Sequence, residues 1–429
     1  MYRLLKRELA KRNKPINLCI IGIGWIGSGL VRELSKYKKI IPKVLVNKTI
    51  KKAIIAYSDI GISENQIIII NNKEQLKKAQ KTNKYIIFSD INLIKYLKNI
   101  DLVYEATGDV LAGAISCLNS IKAGIRFMTI NYEMDSTIGL ILSKIARKNK
   151  VLYSGADGDQ PGVLSRMIHE ATCLGFNPKI AGNCKGFIDK YQNPKGVKPF
   201  VSKRQDVNKI CSFADGTKQS AELVSVANAF GFSISKRGMN GPKTTKQSLI
   251  KDFNKIIDID SLEKPLVEYV MGINGVDQGA GVFLIVNKNG LYVKEELEFL
   301  KKGPGPYYLF FRAHHLCHIE AISGILQSVL FNSPTIIPRT RACDVITMAK
   351  RDLKKGQRLD GYGGFDCYGE IEKAEIVSEN NFLPFGLASY ATTKVPIKKD
   401  TIITYDMVEL ENNIVIRLRK QQDKIPFST

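Results

Sequence analysis

Asn17-Leu18-Cys19-Ile20-Ile21-Gly22-Ile23-Gly24-Trp25-Ile26-Gly27-Ser28-Gly29-Leu30-Val31-Arg32-Glu33-Leu34 is the stretch that decides the fold. Leu18 to Ile21 reads as a short buried strand, and Gly22, Gly24 and Gly27 complete a G-x-G-x-x-G. Leu30, Val31 and Leu34 then fall on one helical face. Strand, glycine turn and helix in that order are the context in which the motif holds a dinucleotide. Gly22 permits the tight turn, Gly24 lets backbone approach a pyrophosphate, and Gly27 lets helix and strand pack closely. The helix N-terminus offers free N–H groups to phosphate. Trp25 and Ile26, inside the turn, belong with its cofactor-binding residues.

Outward from the turn, the helix is expected to reach about Tyr37, and Lys43 to Val46 reads as the second strand. An acid at the end of that strand would bind the ribose hydroxyls of NAD. Here Asn47-Lys48-Thr49 stands instead, and a cation with two hydrogen-bonding side chains suits the 2′-phosphate of NADP(H) better than NAD(H). Tyr85 to Phe88, Asp101 to Glu105 and Arg126 to Asn131 read as further strands, and Val110 to Lys122 as a helix closed by Gly124. The turn Ala106-Thr107-Gly108-Asp109 places Thr107 and Gly108 beside the nicotinamide ribose. Glu105 and Glu133 sit at carboxyl ends of strands, where such sheets bind ligands. The alternation predicts an α/β fold: a doubly wound Rossmann sheet over residues 1–155.

A chain of 429 residues has room for two or three domains. Its 44% hydrophobic and 24% charged residues are ordinary for a globular protein. No apolar run is long enough to span a membrane, and Met1 to Lys14 lacks the apolar core of a signal peptide, so a cytoplasmic location is expected. Eight scattered cysteines without a C-x-x-C pair read as reduced thiols. The net charge of +23 comes from dispersed lysines interleaved with acids, with no arginine-rich block or aromatic RNA-binding signature. No nucleic-acid or membrane partner is expected, and the charge is compatible with an anionic, phosphorylated small molecule.

Beyond the first domain, Tyr153 to Gly162 reads as a polar loop before a helix at Val163 to Leu174. Lys179 to Gly182 reads as a strand opening into Asn183-Cys184-Lys185-Gly186. Phe213-Ala214-Asp215-Gly216-Thr217-Lys218 and Arg237-Gly238-Met239-Asn240-Gly241-Pro242 are further loops of the kind that carry function. From Thr335 short strands and turns take over. Lys355-Gly356-Gln357-Arg358-Leu359-Asp360 is echoed by Ile397-Lys398-Lys399-Asp400-Thr401-Ile402.

The strand end Val103-Tyr104-Glu105-Ala106-Thr107-Gly108, the loop Gly158-Asp159-Gln160-Pro161-Gly162, the block Ala214-Asp215-Gly216-Thr217-Lys218 and the segment around His315 carry a family resemblance. In this order they resemble the homoserine-dehydrogenase-like NAD(P)-dependent oxidoreductases with a C-terminal SAF domain. One branch of these is the 1-deoxy-D-xylulose 5-phosphate reductoisomerase-like enzymes of isoprenoid biosynthesis. The resemblance spans nearly the whole chain. It implies a middle α+β domain over 156–334, for substrate binding and homodimerisation, and a small β-rich SAF-like module over 335–429. It also implies an NADPH-dependent oxidoreductase, with reductoisomerisation of a phosphoketose as the specific expectation. Simple oxidation or reduction of a small aldehyde or hydroxy acid is the alternative. The family's lysine-rich run is reduced here to Asn183-Cys184-Lys185, which leaves a non-catalytic nucleotide-binding regulator as a third reading.

Hydride transfer to a carbonyl needs a proton or cation at the developing alkoxide, and Lys185 and Lys218 are the candidates. Asp159 and Asp215 could orient a lysine, hold a hydroxyl or bind Mg or Mn, since carboxylates around a divalent ion polarise adjacent oxygens. Arg237, Asn240 and Arg312 are candidates for a substrate phosphate or carboxylate. Arg312-Ala313-His314-His315-Leu316-Cys317-His318 holds three of the chain's four histidines. It could be a zinc cluster, yet adjacent histidines do not easily reach one ion and no fourth ligand is nearby in sequence. The resemblance favours His315 as a substrate-side catalytic residue.

Overall fold

The computed structural model describes residues 1–202, 205–272 and 281–427. Its first sheet is parallel throughout: Ile16–Ile21 (β1), Ile40–Val46 (β2), Ile67–Ile69 (β3), Tyr85–Phe88 (β4), Leu102–Glu105 (β5), Arg126–Thr129 (β6) and Tyr153–Gly155 (β7) lie in the order β3-β4-β2-β1-β5-β6-β7. Successive residues of β1 divide between two cores. Leu18 and Ile20 pack with Leu30, Val31 and Leu34, whereas Cys19 and Ile21 pack with Ala114, Ile138 and Leu142. A strand buried on both faces has to be apolar at every position, which is why its sequence does not alternate. The order reverses at β1, flanked by β2 and β5, and sheets of this kind bind ligands at the carboxyl ends beside such a reversal.

This is the doubly wound sheet expected from the glycine turn. Two strands are additional: β3 is a short edge strand, and β7 occupies the start of the stretch read as a loop. The helix after the turn ends at Leu34 rather than Tyr37, and the helix Val110–Lys122 is as expected, capped by Asp109 accepting from the Ala112 N–H at 2.6 Å.

The second sheet is mixed: Asn177–Lys185 (β8), Lys243–Thr244 (β9), Leu266–Gly272 (β10), Val282–Asn287 (β11) and Tyr307–Arg312 (β12), in the order β12-β11-β8-β10-β9. Helices Gln160–Cys173 and Thr217–Phe230 pack on one face; Leu249 and Phe253 pack on the other with Ile180, Cys184 and Phe283. β8 runs through Lys185, so Asn183-Cys184-Lys185 is strand rather than the expected loop. The period of two then sends Asn183 and Lys185 to one face and Cys184 to the other.

The helix Cys317–Phe331 leaves this sheet. Its Ala321, Ile325 and Val329 join the core of Leu30, Val31 and Leu34, so this part of the expected 156–334 unit packs on the dinucleotide sheet. The C-terminal residues are β-rich: Cys343–Ala349 (β13) pairs with Cys367–Lys373 (β14), and Ala391–Thr393 (β15) with Val408–Leu410 (β16), both antiparallel. Bridges Leu353–Ile397 and Met348–Ile402 bring the two basic-turn segments together. Among the described residues no helix is long and apolar enough to cross a membrane.

The helix Ile414–Gln422 closes the chain against Tyr132–Lys148. Arg419, fully buried, forks onto both oxygens of Asp344 at 2.6 and 2.7 Å and reaches the Thr137 carbonyl at 3.1 Å. Arg419→Met leaves the Asp344 charge buried without its partner. Urea unfolding is expected to show a loss of about 3–5 kcal/mol. A loss under about 1 kcal/mol would mean that Asp344 finds another partner.

Candidate active site

The glycine turn has the geometry its motif implies. Gly22 has φ +84°, and a Cβ there would lie 2.7 Å from the Ala106 carbonyl carbon. A Cβ on Gly27 would lie 2.1 Å from the Gly22 oxygen, whereas one on Gly24 would meet nothing within 4 Å. Two glycines are therefore fixed by packing, and the third leaves open ground beside the helix N-terminus, as a pyrophosphate requires. Trp25 opens the helix half-exposed, edge-on to His318 at 5.4 Å, and Ile26 is half-buried beside it.

Asn47 is not free to meet a ribose phosphate. Its Oδ1 accepts the Ile23 N–H at 2.9 Å and its Nδ2 donates to the Thr49 carbonyl at 2.9 Å, so the side chain braces the glycine turn. Lys48 and Thr49 stand exposed at the end of β2. Thr107 is held by Glu105, which accepts from its N–H at 2.7 Å and its hydroxyl at 2.5 Å, and from the Thr129 hydroxyl at 2.7 Å. Gly108 follows at φ +65° under Lys209, whose Nζ donates to the Thr107 carbonyl at 2.8 Å.

Past the ends of β6 and β7, five charged side chains are buried together: Glu133, Asp159, Lys185, Lys218 and Glu222. Lys218 is not in a turn but in the first turn of helix Thr217–Phe230, and Glu222 lies one helical turn on. Lys218 Nζ pairs with Glu133 Oε2 at 3.0 Å and lies 4.0 Å from Glu222; Lys185 Nζ lies 3.9 Å from Glu222. Glu133, expected at the cofactor, is thus the main partner of Lys218. Burial lowers the ammonium affinity of Lys185 for its proton despite Glu222 and Asp159. Burial acts likewise on Lys218, but Glu133 and Glu222 outweigh it and hold its proton tightly. Burial, then Asp159, pushes Glu222 up to about 7 against the pull of both lysines. Both Glu222 oxygens are buried without a hydrogen-bond partner. A carboxyl that is buried, without a hydrogen bond and poised near neutrality has the properties of a general acid–base.

Gln160, not foreseen from the sequence, joins this cluster to His315. Its Oε1 accepts from Lys185 Nζ at 3.2 Å and Asn183 Nδ2 at 2.5 Å, and its Nε2 lies 3.2 Å from His315 Nε2. Asp159 caps the same helix, accepting the Gln160 N–H at 3.0 Å, and its Oδ1 lies 3.7 Å from His315 Nδ1. Burial lowers the His315 proton affinity against the pull of Asp159. His314 is exposed and His318 packs on Trp25.

Four expected site residues are held elsewhere. Asp215 is ion-paired with Lys350 at 2.8 Å, and its second oxygen accepts the Thr217 N–H at 2.9 Å, so it does not share a divalent ion with Asp159. Arg237 pairs with Glu372 at 2.8 Å, and the Asn240 amide donates to Glu268 at 2.6 Å; two carboxylates occupy the donors expected for phosphate. Arg312 pairs with Glu320, which also takes Arg166 at 3.3 Å. Glu222 was legible only once Lys218 was on a helix. Gly216 before the helix and Gly231 after it, both at positive φ, were the available signal.

Residues 158–321, less than half the chain, match the family described as oxidoreductase DRL, catalytic domain. No curated protein matches. Among solved structures, one of DOX-P reductoisomerase with NADPH, fosmidomycin and magnesium is 17% identical, with TM-score 0.36 over 49% of this chain and 57% of that one, so the chain spans little more than half its length. A probable dehydrogenase from Thermotoga maritima is 10% identical, with TM-score 0.42 over 74% of this chain and 90% of its own. The 1-deoxy-D-xylulose 5-phosphate reductoisomerase from Zymomonas mobilis with NADPH is 10% identical, with TM-score 0.39 over 75% and 82%. The match to an oxidoreductase catalytic domain thus lies over Asp159, Lys185, Lys218, Glu222 and His315, with a dinucleotide-type glycine turn in the sheet beside them.

Proposed function

We propose that the chain uses NADP(H) to reductoisomerise 1-deoxy-D-xylulose 5-phosphate, or a related phosphoketose, to a reduced branched polyol phosphate. The observation that carries this is Glu222, a buried carboxyl with unpartnered oxygens within 4.0 Å of two lysines. Skeletal migration by retro-aldol and aldol steps needs a base at one hydroxyl and positive charge at the neighbouring oxygen. Glu222 serves as the base, and Lys185 and Lys218 hold the oxygen charge. A bound nicotinamide supplies the hydride. Lys185, whose proton burial loosens, then gives it to the alkoxide. The open ground at Gly24 and the exposed Lys48 and Thr49 are the residues that would hold the cofactor. The Asp159–Asp215 pair does not fit a divalent ion, and no step runs through one. Homodimerisation, and a small molecule rather than nucleic acid or membrane as partner, remain part of this reading.

A second reading is reduction of a small aldehyde without skeletal change, favoured by the engagement of Arg237 and Asn240 with carboxylates instead of a phosphate. NADPH oxidation measured with the phosphoketose and with small aldehydes, with and without added Mn²⁺, separates the two. Turnover of aldehydes alone by folded, NADPH-binding protein would overturn the reductoisomerase reading.

Further outcomes are expected. Wild-type kcat/KM should rise as pH passes about 7, where Glu222 loses its proton. Glu222→Gln should abolish that limb and lower the rate above it by about 10²–10⁴-fold. Because the folded-state affinity of Glu222 for its proton is raised, its contribution to stability is full at low pH and lost as pH rises through about 7. The Tm of Glu222→Gln relative to wild type should therefore increase across that range, by calorimetry. Lys48→Glu should raise KM for NADPH by about 10-fold or more with little change for NADH; an equal effect on both would place Lys48 away from the 2′-phosphate.

A further inference from the structure

We propose that Asp159, His315 and Cys317 form a binding site for a zinc-class transition-metal ion. Asp159 Oδ1, His315 Nδ1 and Cys317 Sγ lie within 4.8 Å of one another, and among the described residues they are the one such group. The three separations are 3.7 Å from carboxylate to imidazole, 4.0 Å from carboxylate to sulfur and 3.9 Å from sulfur to imidazole. An ion bound at about 2.0–2.3 Å to each would need edges only a few tenths of an ångström shorter. Thiolate, imidazole and carboxylate together suit zinc or cobalt rather than magnesium. Three protein ligands leave a fourth position open to water or a substrate oxygen.

The backbone is arranged to bring these atoms together. Cys317 has φ +30°, uncommon for a residue with a side chain, and its N–H donates to the Gly158 carbonyl at 2.6 Å. A Cβ on Gly158 would lie 2.2 Å from the Cys317 oxygen, so only glycine admits this approach. Strain of this kind persists where the surroundings hold it, and it gathers at ligand sites. Asp159 arrives from a helix N-cap and His315 from the loop after β12, so the site closes between segments far apart in sequence.

The amides behind His315 fit a loaded site. Coordination through Nδ1 leaves a hydrogen on Nε2, which then needs an acceptor. In the structure Gln160 turns its NH₂ towards that nitrogen, and Asn183 Oδ1 is buried without a partner. If both amides turn over, Gln160 Oε1 accepts from His315 Nε2 and Asn183 Oδ1 accepts from the Gln160 NH₂. The Asn183 oxygen is then satisfied, while its NH₂ takes the place it left and Lys185 exchanges the Gln160 oxygen for Glu222 as its partner.

The test uses the full-length protein, stripped with chelator and titrated with Co²⁺ and with Zn²⁺. Expected are one metal per chain by elemental analysis and a thiolate-to-cobalt charge-transfer band. Cys317→Ser should lose that band, and Cys173→Ser, which alters an exposed cysteine, should keep it. Zinc competition against a chromophoric chelator should show binding about 10–100-fold weaker in Gln160→Leu. Wild-type protein with native circular dichroism but no band, or a band that survives Cys317→Ser, overturns the proposal. The readout is spectroscopic, so it is independent of whether the phosphoketose is turned over.

Discussion

Three carboxylates face two ammoniums in one dry space, and much of the molecule is arranged around that imbalance. Glu133, Asp159 and Glu222 are each buried, as are Lys185 and Lys218. A lone buried charge costs several kcal/mol, so each lysine is drawn between acids rather than left with one. Lys218 lies between Glu133 and Glu222, and Lys185 feels Glu222 and Asp159. One negative charge remains in excess. It is relieved at Glu222, where burial first and the Asp159 charge second raise the proton affinity to about 7. The electrostatics that would destabilise an inert core thereby produce a proton carrier.

The same cluster joins the parts of the chain. Glu133 belongs to the helix after β6 of the dinucleotide sheet, Lys218 and Glu222 to the helix Thr217–Phe230, and Lys185 to β8 of the second sheet. The C-terminal strands hold that helix at its start. The Gly369 N–H donates to the Thr217 hydroxyl at 2.8 Å, and Lys350 grips Asp215 two residues before it at 2.8 Å. Asp215, expected at the reacting atoms, thus acts one layer back, fixing the turn from which Lys218 departs. The β-rich C-terminal unit accordingly buttresses the helix that carries Lys218 and Glu222.

The dinucleotide sheet was legible because its signals are local. The spacing of Gly22, Gly24 and Gly27 is read within one strand-turn-helix unit, where Gly27 packs on the Gly22 carbonyl, and the helix Val110–Lys122 has its cap and its stop in sequence. β7 was hidden because Tyr153–Gly155 is only three residues long and leads into the glycine- and aspartate-rich run 156–159. Within the site, Lys185, Lys218, Asp159 and His315 stood out in sequence and do converge, whereas Asp215, Arg237 and Asn240 are held by partners more than 25 residues away. Lone arginines and aspartates reveal neither whom they pair with nor what that pairing withdraws from a substrate. Gln160 and Asn183 lie in quoted blocks whose marked residues were Asp159 and Lys185, and Glu222 lies outside every block; where the three meet follows from a strand's alternation and a helix's turn across the junction. The approach of Asp159 to His315 and Cys317 could not be read from the histidine-rich run, because Asp159 lies more than 150 residues before them.

The most direct test is a structure of the protein with NADPH and an unreactive analogue of a phosphorylated hydroxyketone. The account predicts the nicotinamide at the carboxyl ends of β1 and β5, with the analogue's carbonyl oxygen within hydrogen-bonding distance of Lys185 or Lys218 and a hydroxyl beside Glu222. An analogue bound away from these three side chains, with the lysine–glutamate cluster undisturbed, would contradict it.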